Sequence, residues 1–206
     1  MGEIEEVQFG DPLILAKFSI DELRSFYHEA KKHFGLRLAG LEGRSKSVSP
    51  EDEESDYLAD RMEEVAGLLD LNEHFGVVGV YRTFESFLRN VVDHLGNEGF
   101  IEGETKKYLN GLMGQLREVG VDLKQPPFQW QEIEKLREIR NCIAHGDGWV
   151  DSQHVSELRD YILPVEEGQA SLLRLPGGYF LEASALVAST CEFVIEKCAE
   201  ARRGRR

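Results

Sequence analysis

The chain has 206 residues, enough for one generous domain or two small ones, and its 38 acidic against 24 basic side chains leave a formal charge of −14. That balance excludes broad, sequence-independent coating of nucleic acid and disfavours docking to an anionic membrane, while permitting a small cationic site inside an acidic body. Hydrophobic residues at 41% and charged residues at 30% describe a globular chain with ample core.

Residues 1–18 show no clear period and read as an arm containing Pro12. Ser19 and Glu22 form a capping box that opens a helix over about 20–35. The stretch 36–49, rich in Gly, Ser and Arg, reads as a loop. Ser49-Pro50-Glu51-Asp52 then supplies an N-cap, a proline at the first helical position and acids at the positive end of the dipole, for a helix to about Leu71. The most apolar helix follows over about 74–95, where Val77, Tyr81, Phe84, Leu88, Val91 and Leu95 repeat at steps of four and three. Gly76 and Gly79 weaken that helix, and close approach of a neighbouring helix is the simplest reason for them. Gly96–Gly99 ends it, a helix follows over about 104–118, and Pro126-Pro127 starts another over about 127–145 that stops at Gly146-Asp147-Gly148. Beyond it come a short helix over 152–163, a small β-hairpin from Ser171–Leu175 and Tyr179–Leu181 around Pro176-Gly177-Gly178, and a final helix over about 182–201.

The expectation is an all-α protein without internal repeats. Residues 1–70 form an arm and helical extension packed on the same domain, 71–201 form the helical domain, and 202–206 form a basic tail. No apolar run reaches the roughly 20 residues of a membrane span, and Met1-Gly2-Glu3-Ile4-Glu5-Glu6 is acidic where a signal peptide would be basic. Three cysteines make no disulfide framework, and Cys191 and Cys198 on one helix would stand about 10 Å apart along its axis. A reduced, cytoplasmic protein is expected.

The chemistry concentrates in residues 128–145. On a helical wheel Ile133, Leu136, Ile139, Ile143 and Ala144 share one arc, and Arg140 falls inside it. A guanidinium on that face must pair with an internal acid or line a cleft or interface. Asn141 and His145 are one turn apart, so the amide can orient the imidazole, and His145 ends the helix where a ring that exchanges protons is well placed. Arg140 and His145 lie about 140° apart on an ideal helix, so their convergence calls for a distorted helix end or a two-fold-related copy. Glu85, with Arg89 one turn on, is a supporting candidate that could neutralise Arg140 if the two core helices pack antiparallel. Cys142 lies opposite the apolar arc and reads as inert. The six histidines (28, 33, 74, 94, 145, 154) lack metal-ligand spacing, and Gly76-Val77-Val78-Gly79 is too short for a phosphate loop, so neither metal nor cofactor is expected.

The run Leu-Arg-Glu-Ile-Arg-Asn-Cys-Ile-Ala-His-Gly (136–146) resembles the signature of the HEPN family, an arginine, a polar residue, and a histidine a few positions on. Arg140, Asn141 and His145 match those positions, and Phe84–Asn90 is similar to the family's other core helix. The resemblance covers about 72–200. It implies an antiparallel helical bundle and a metal-independent endoribonuclease whose site is built across a homodimer cleft. It further implies single-stranded RNA as substrate, a toxin-like or antiviral setting, and an antitoxin or regulatory protein as partner, with no role for DNA or membrane. Arg140 would hold the scissile phosphate, His145 would move protons, and Asn141 would orient the ring. Members silenced by a nucleotidyltransferase carry a tyrosine two residues after the histidine; here that position is Asp147 and the nearby aromatic is Trp149, which speaks against that form of control. The alternative is a non-catalytic dimerisation or interaction module, or a nucleotide-binding regulatory subunit, on the same fold.

Overall fold

Two long helices, α1 (Glu3–Ser45) and α2 (Glu53–Asn97), form an antiparallel hairpin along which the rest of the chain is arranged. The computed structural model describes residues 3–123, 130–146, 148–150, 158–162 and 171–205. The remaining helices are α3 (Leu109–Glu118), α4 (Trp130–Gly146) and α5 (Tyr179–Arg205). One antiparallel pair of short strands, β1 (Trp149–Val150) and β2 (Ser171–Leu172), lies between α4 and α5. The protein is all-α, as its periodicities indicate.

α2 is the axis of the core. Its second half buries Val77, Val80, Tyr81, Phe84, Phe87, Leu88, Val91, Val92 and Leu95, which alternating steps of three and four place on one broad face. Against that face pack α3 through Leu112 and Leu116, α4 through Ile133, Leu136 and Ile139, and α5 through Phe180, Val187 and Val194. A Cβ on Gly76 would stand 2.5 Å from the ring of Phe180, and one on Gly79 would stand 2.9 Å from Leu23. Each glycine lets one neighbouring helix, α5 or α1, approach α2.

Polar clasps fix the same three helices. The buried carboxylate of Glu73 in α2 accepts hydrogen bonds from the N–H of Gly178 (2.7 Å), the N–H of Phe180 (3.1 Å) and the hydroxyl of Tyr27 in α1. It thereby satisfies amides at the start of α5 that the helix itself cannot and sits at the positive end of that helix. Gly178, at φ +97°, lets the chain turn into this arrangement. Arg24 donates to Ser184 and Lys17 pairs with Glu192, tying α1 to α5.

Several boundaries differ from the sequence expectation. Residues 3–18 are helix rather than arm, with Pro12 inside α1 and Ser19 well past its start. The expected loop at 36–49 is helical to Ser45, and the two helices expected at 50–71 and 74–95 are one, beginning at Glu53. Asp52, not Ser49, takes the N-cap position, because Ser49 accepts from Asp52 N–H and closes a turn ahead of the helix. α3 starts five residues later than expected, since the amide of Gln115 binds the N–H of Lys106 and the carbonyl of Glu104 and holds that strand of chain against it. β2 pairs with Trp149–Val150, while Tyr179–Leu181 opens α5. Arg202 is no frayed tail but lies in α5 against Glu98 and over Phe100. Pro126-Pro127 and most of the helix expected at 152–163 lie outside the described residues; Arg159–Tyr161 is a 3-10 turn.

Candidate functional site

α4 presents Ile133, Leu136, Ile139 and Cys142 to the core, while Ile143 is partly buried and Ala144 exposed. The buried arc is thus rotated toward Cys142 from its expected place. That rotation moves Arg140 from the centre of the apolar face to its flank, half-buried beside α2. Gly148, at φ +85°, donates its N–H to the carbonyl of Cys142 at 3.1 Å and closes the helix where the glycines indicated.

Arg140 and His145 meet within one chain. Arg140 Nη1 lies 3.3 Å from His145 Nε2 and 3.0 Å from Asn141 Oδ1. The long arginine side chain spans the angle that separates the two backbones, so neither a helix distortion nor a second copy is needed for the contact. Asn141 orients the guanidinium rather than the ring. Arginine carries donors only, so a hydrogen bond across this contact has Nε2 as its acceptor.

The pair borders a cavity of about 440 Å³ between α2, α4 and the start of α3. α2 and α4 run antiparallel here, with Tyr81 facing Arg140 and His74 beside Gly148. Tyr81 forms the floor; its ring lies 5.8 Å from the Arg140 guanidinium carbon, a cation–π distance that holds the arginine in place. The Tyr81 hydroxyl and Arg140 Nε are both buried and have no hydrogen-bond partner. Burial, then the charge of Glu85, push the Tyr81 phenol well above its usual range, so it remains a donor. Tyr108, 80% exposed, stands at the mouth beside the first residues of α3.

Glu85 lines the same cavity, but no ion pair joins it to Arg140 or Arg89 among the described residues. Arg89 reaches the carbonyl of Lys107 at 3.1 Å and so braces the rim without entering it. Arg137 lines the cavity with its charge held by Glu134 and Glu138, and Lys135 turns to Glu132 and the ring of Tyr161. Tyr108 carried no periodic or motif signal. Tyr81 did carry one, a polar-tipped ring on an otherwise aliphatic and phenyl stripe, and such a tip needs a partner when buried.

The three cysteines form no disulfide, and burial pushes the thiol of Cys198 up to about 12 and that of Cys191 higher still, leaving both inert. Among the described residues no group of three or more His, Cys, Asp and Glu is placed to hold a metal ion, and no helix is long and apolar enough to cross a membrane. Asp147 lies outside the described residues. Compared with family models, with curated proteins and with solved structures, the chain matches none.

Proposed function

We propose that the chain is a metal-independent endoribonuclease of HEPN type. The observation that carries this reading is the Arg140–His145 contact of 3.3 Å at the edge of a cavity whose floor holds a second buried, unpartnered donor. RNA can cleave itself through its 2′-hydroxyl. The 2′-oxygen bonds to phosphorus, the bond to the 5′-oxygen breaks, and a 2′,3′-cyclic phosphate remains. A base must take the 2′-proton, an acid must supply one to the leaving oxygen, and charge must be stabilised on the phosphoryl oxygens. His145 with Nε2 unprotonated is the base. Arg140 holds the phosphoryl group bidentately, as only a planar fork of donors can, and Asn141 positions that fork.

The acid comes from a second copy. His145 is the one imidazole among the described residues lining the cavity, and one ring cannot hold and lack the proton at once. A two-fold pairing that sets two Arg140–His145 pairs side by side supplies both roles. The toxin-like or antiviral setting, with an antitoxin or other protein that restrains the enzyme, follows from the family resemblance alone.

The test is to incubate single-stranded RNA in EDTA with the protein and with Arg140→Ala and His145→Ala. Wild-type cleavage reduced at least about a hundredfold in each variant is expected, since proton transfer and charge stabilisation each contribute about that much. Cleavage that survives both substitutions overturns the assignment. An intact dimer that binds but cleaves no RNA favours a non-catalytic module, and a monomer in light scattering removes the shared site.

A further inference from the structure

We infer that the cleft takes one unstacked nucleotide of a single strand, with the base stacked on Tyr108 and the phosphoryl group held between Arg140 and the Tyr81 hydroxyl. This rests on the nucleic-acid reading above and names two binding residues for it.

Three observations converge on it. First, the Tyr81 hydroxyl is sealed in a side chain only 1% exposed and donates to nothing, and Arg140 Nε beside it is equally unpartnered. A buried polar group without a partner is costly, and two such donors under one cavity point to an acceptor that arrives from outside. Tyr81 sits under the guanidinium, so its hydroxyl and Arg140 Nε are the two donors a phosphoryl group would engage together.

Second, the cavity of about 440 Å³ falls within the usual range of about 300–1,000 Å³ for small-ligand sites, so it holds a nucleotide and not a helix of paired bases. Third, Tyr108 is a large aromatic ring left 80% exposed at the mouth, with backbone that starts α3 and a side chain that makes no cap. An exposed ring at the rim of an arginine-bearing cleft is a stacking platform, and stacking accepts any unpaired base while refusing one locked in a duplex. Lys107 stands next to it as a second cation, and with Arg140 it outweighs the single carboxylate among the described lining residues, Glu85, so the rim favours a phosphate although the chain as a whole is acidic.

Binding of a short, uncleavable 2′-O-methyl RNA single strand separates this inference from the catalytic one. Tyr108→Ala is expected to weaken binding about tenfold or more and Tyr108→Trp to retain it, because a larger ring still stacks. Tyr81→Phe is expected to weaken binding by about tenfold while leaving the unfolding temperature unchanged or raised, since it removes a hydroxyl that bonds nothing in the folded chain. A purely structural tyrosine would show the opposite pattern. A pre-formed duplex of the same sequence should bind far more weakly. Tyrosine variants that bind like wild type, or a wild type that prefers the duplex or binds neither strand, overturn the inference. Tyrosine-dependent binding by a protein that cuts no unmodified RNA upholds the subsite and overturns catalysis. Arg140-dependent cleavage that is indifferent to both tyrosines does the reverse.

Discussion

At the scale of single residues, what a side chain meets decides more than its type. Gly76 and Gly67 both sit inside α2, where glycine disfavours helix by about 1 kcal/mol relative to alanine. Gly67 has nothing within 4 Å of an added Cβ, so Gly67→Ala should stabilise the fold by about 0.5–1 kcal/mol. Gly76 faces Phe180 at 2.5 Å, so Gly76→Ala should destabilise by about 1–3 kcal/mol despite the same gain in propensity. Chemical denaturation of the two variants beside wild type checks the pair, and equal shifts would refute the packing account of Gly76. Arg140 shows the same point at the candidate site. A helical wheel places Cβ atoms, and from those alone Arg140 and His145 diverge. The contact at 3.3 Å exists because an arginine side chain is long enough to cross the gap and Asn141 stands where it can be grasped. The motif was legible in the sequence, and its closure within one chain was not. Tyr108 was not legible at all, because an isolated exposed ring ahead of a short helix leaves no pattern.

At the scale of elements, the junction of α2 with the starts of α5 and β1 carries a pH signature. His74 lies in α2 between buried Glu73 and the turn at Gly148. Burial holds its pKa below the ordinary 6.5, and the charges of Asp70 and Glu73 only partly oppose this. The unfolded chain therefore binds the proton more readily than the folded one. The stability that follows is fully present above about pH 6.5 and is lost as the pH falls through that value toward the lower folded pKa. Thermal unfolding between about pH 7 and pH 5 should show a decline that His74→Gln makes shallower, and a wild-type and variant pair that run parallel across that range would contradict it. Elements with a strong period fall where the pattern puts them in the stripe of α2 from Val77 to Leu95 and in the last helix, whereas the core face of α4 is turned toward Cys142. α1 was not, for a physical reason. It leaves Ile14, Leu15, Phe18 and Phe26 in solvent on the face opposite the one that buries Ala16, Ile20 and Tyr27, so apolar residues occupy two faces and no single stripe emerges. Beyond Tyr27 it has no buried side chain up to Ser45, and from there to Asp70 only Leu58 and Val65 of α2 are buried. Gly40 and Gly43 meet nothing, so that part of the helix persists through its hairpin partner and not through its own composition.

At the scale of the whole molecule, the charge of −14 and a candidate ribonuclease site fit together once the footprint is small. Arg140 and Lys107 border one cavity, Arg137 is held by Glu134 and Glu138, and Arg202 is committed to Glu98, so the cations at this cleft span about one nucleotide. Such a cleft can cut a strand without gripping a long stretch of it. The chemistry then hangs on the substrate's own 2′-hydroxyl, and the most direct test varies that group alone. In EDTA, one RNA strand and its counterpart with a single 2′-deoxy nucleotide at the mapped cut site are incubated with the protein. Cleavage of the RNA to a 2′,3′-cyclic phosphate end, abolished at that position in the deoxy strand, is the expected result. Equal cleavage of both strands, or fragments ending in a 3′-hydroxyl, would contradict it.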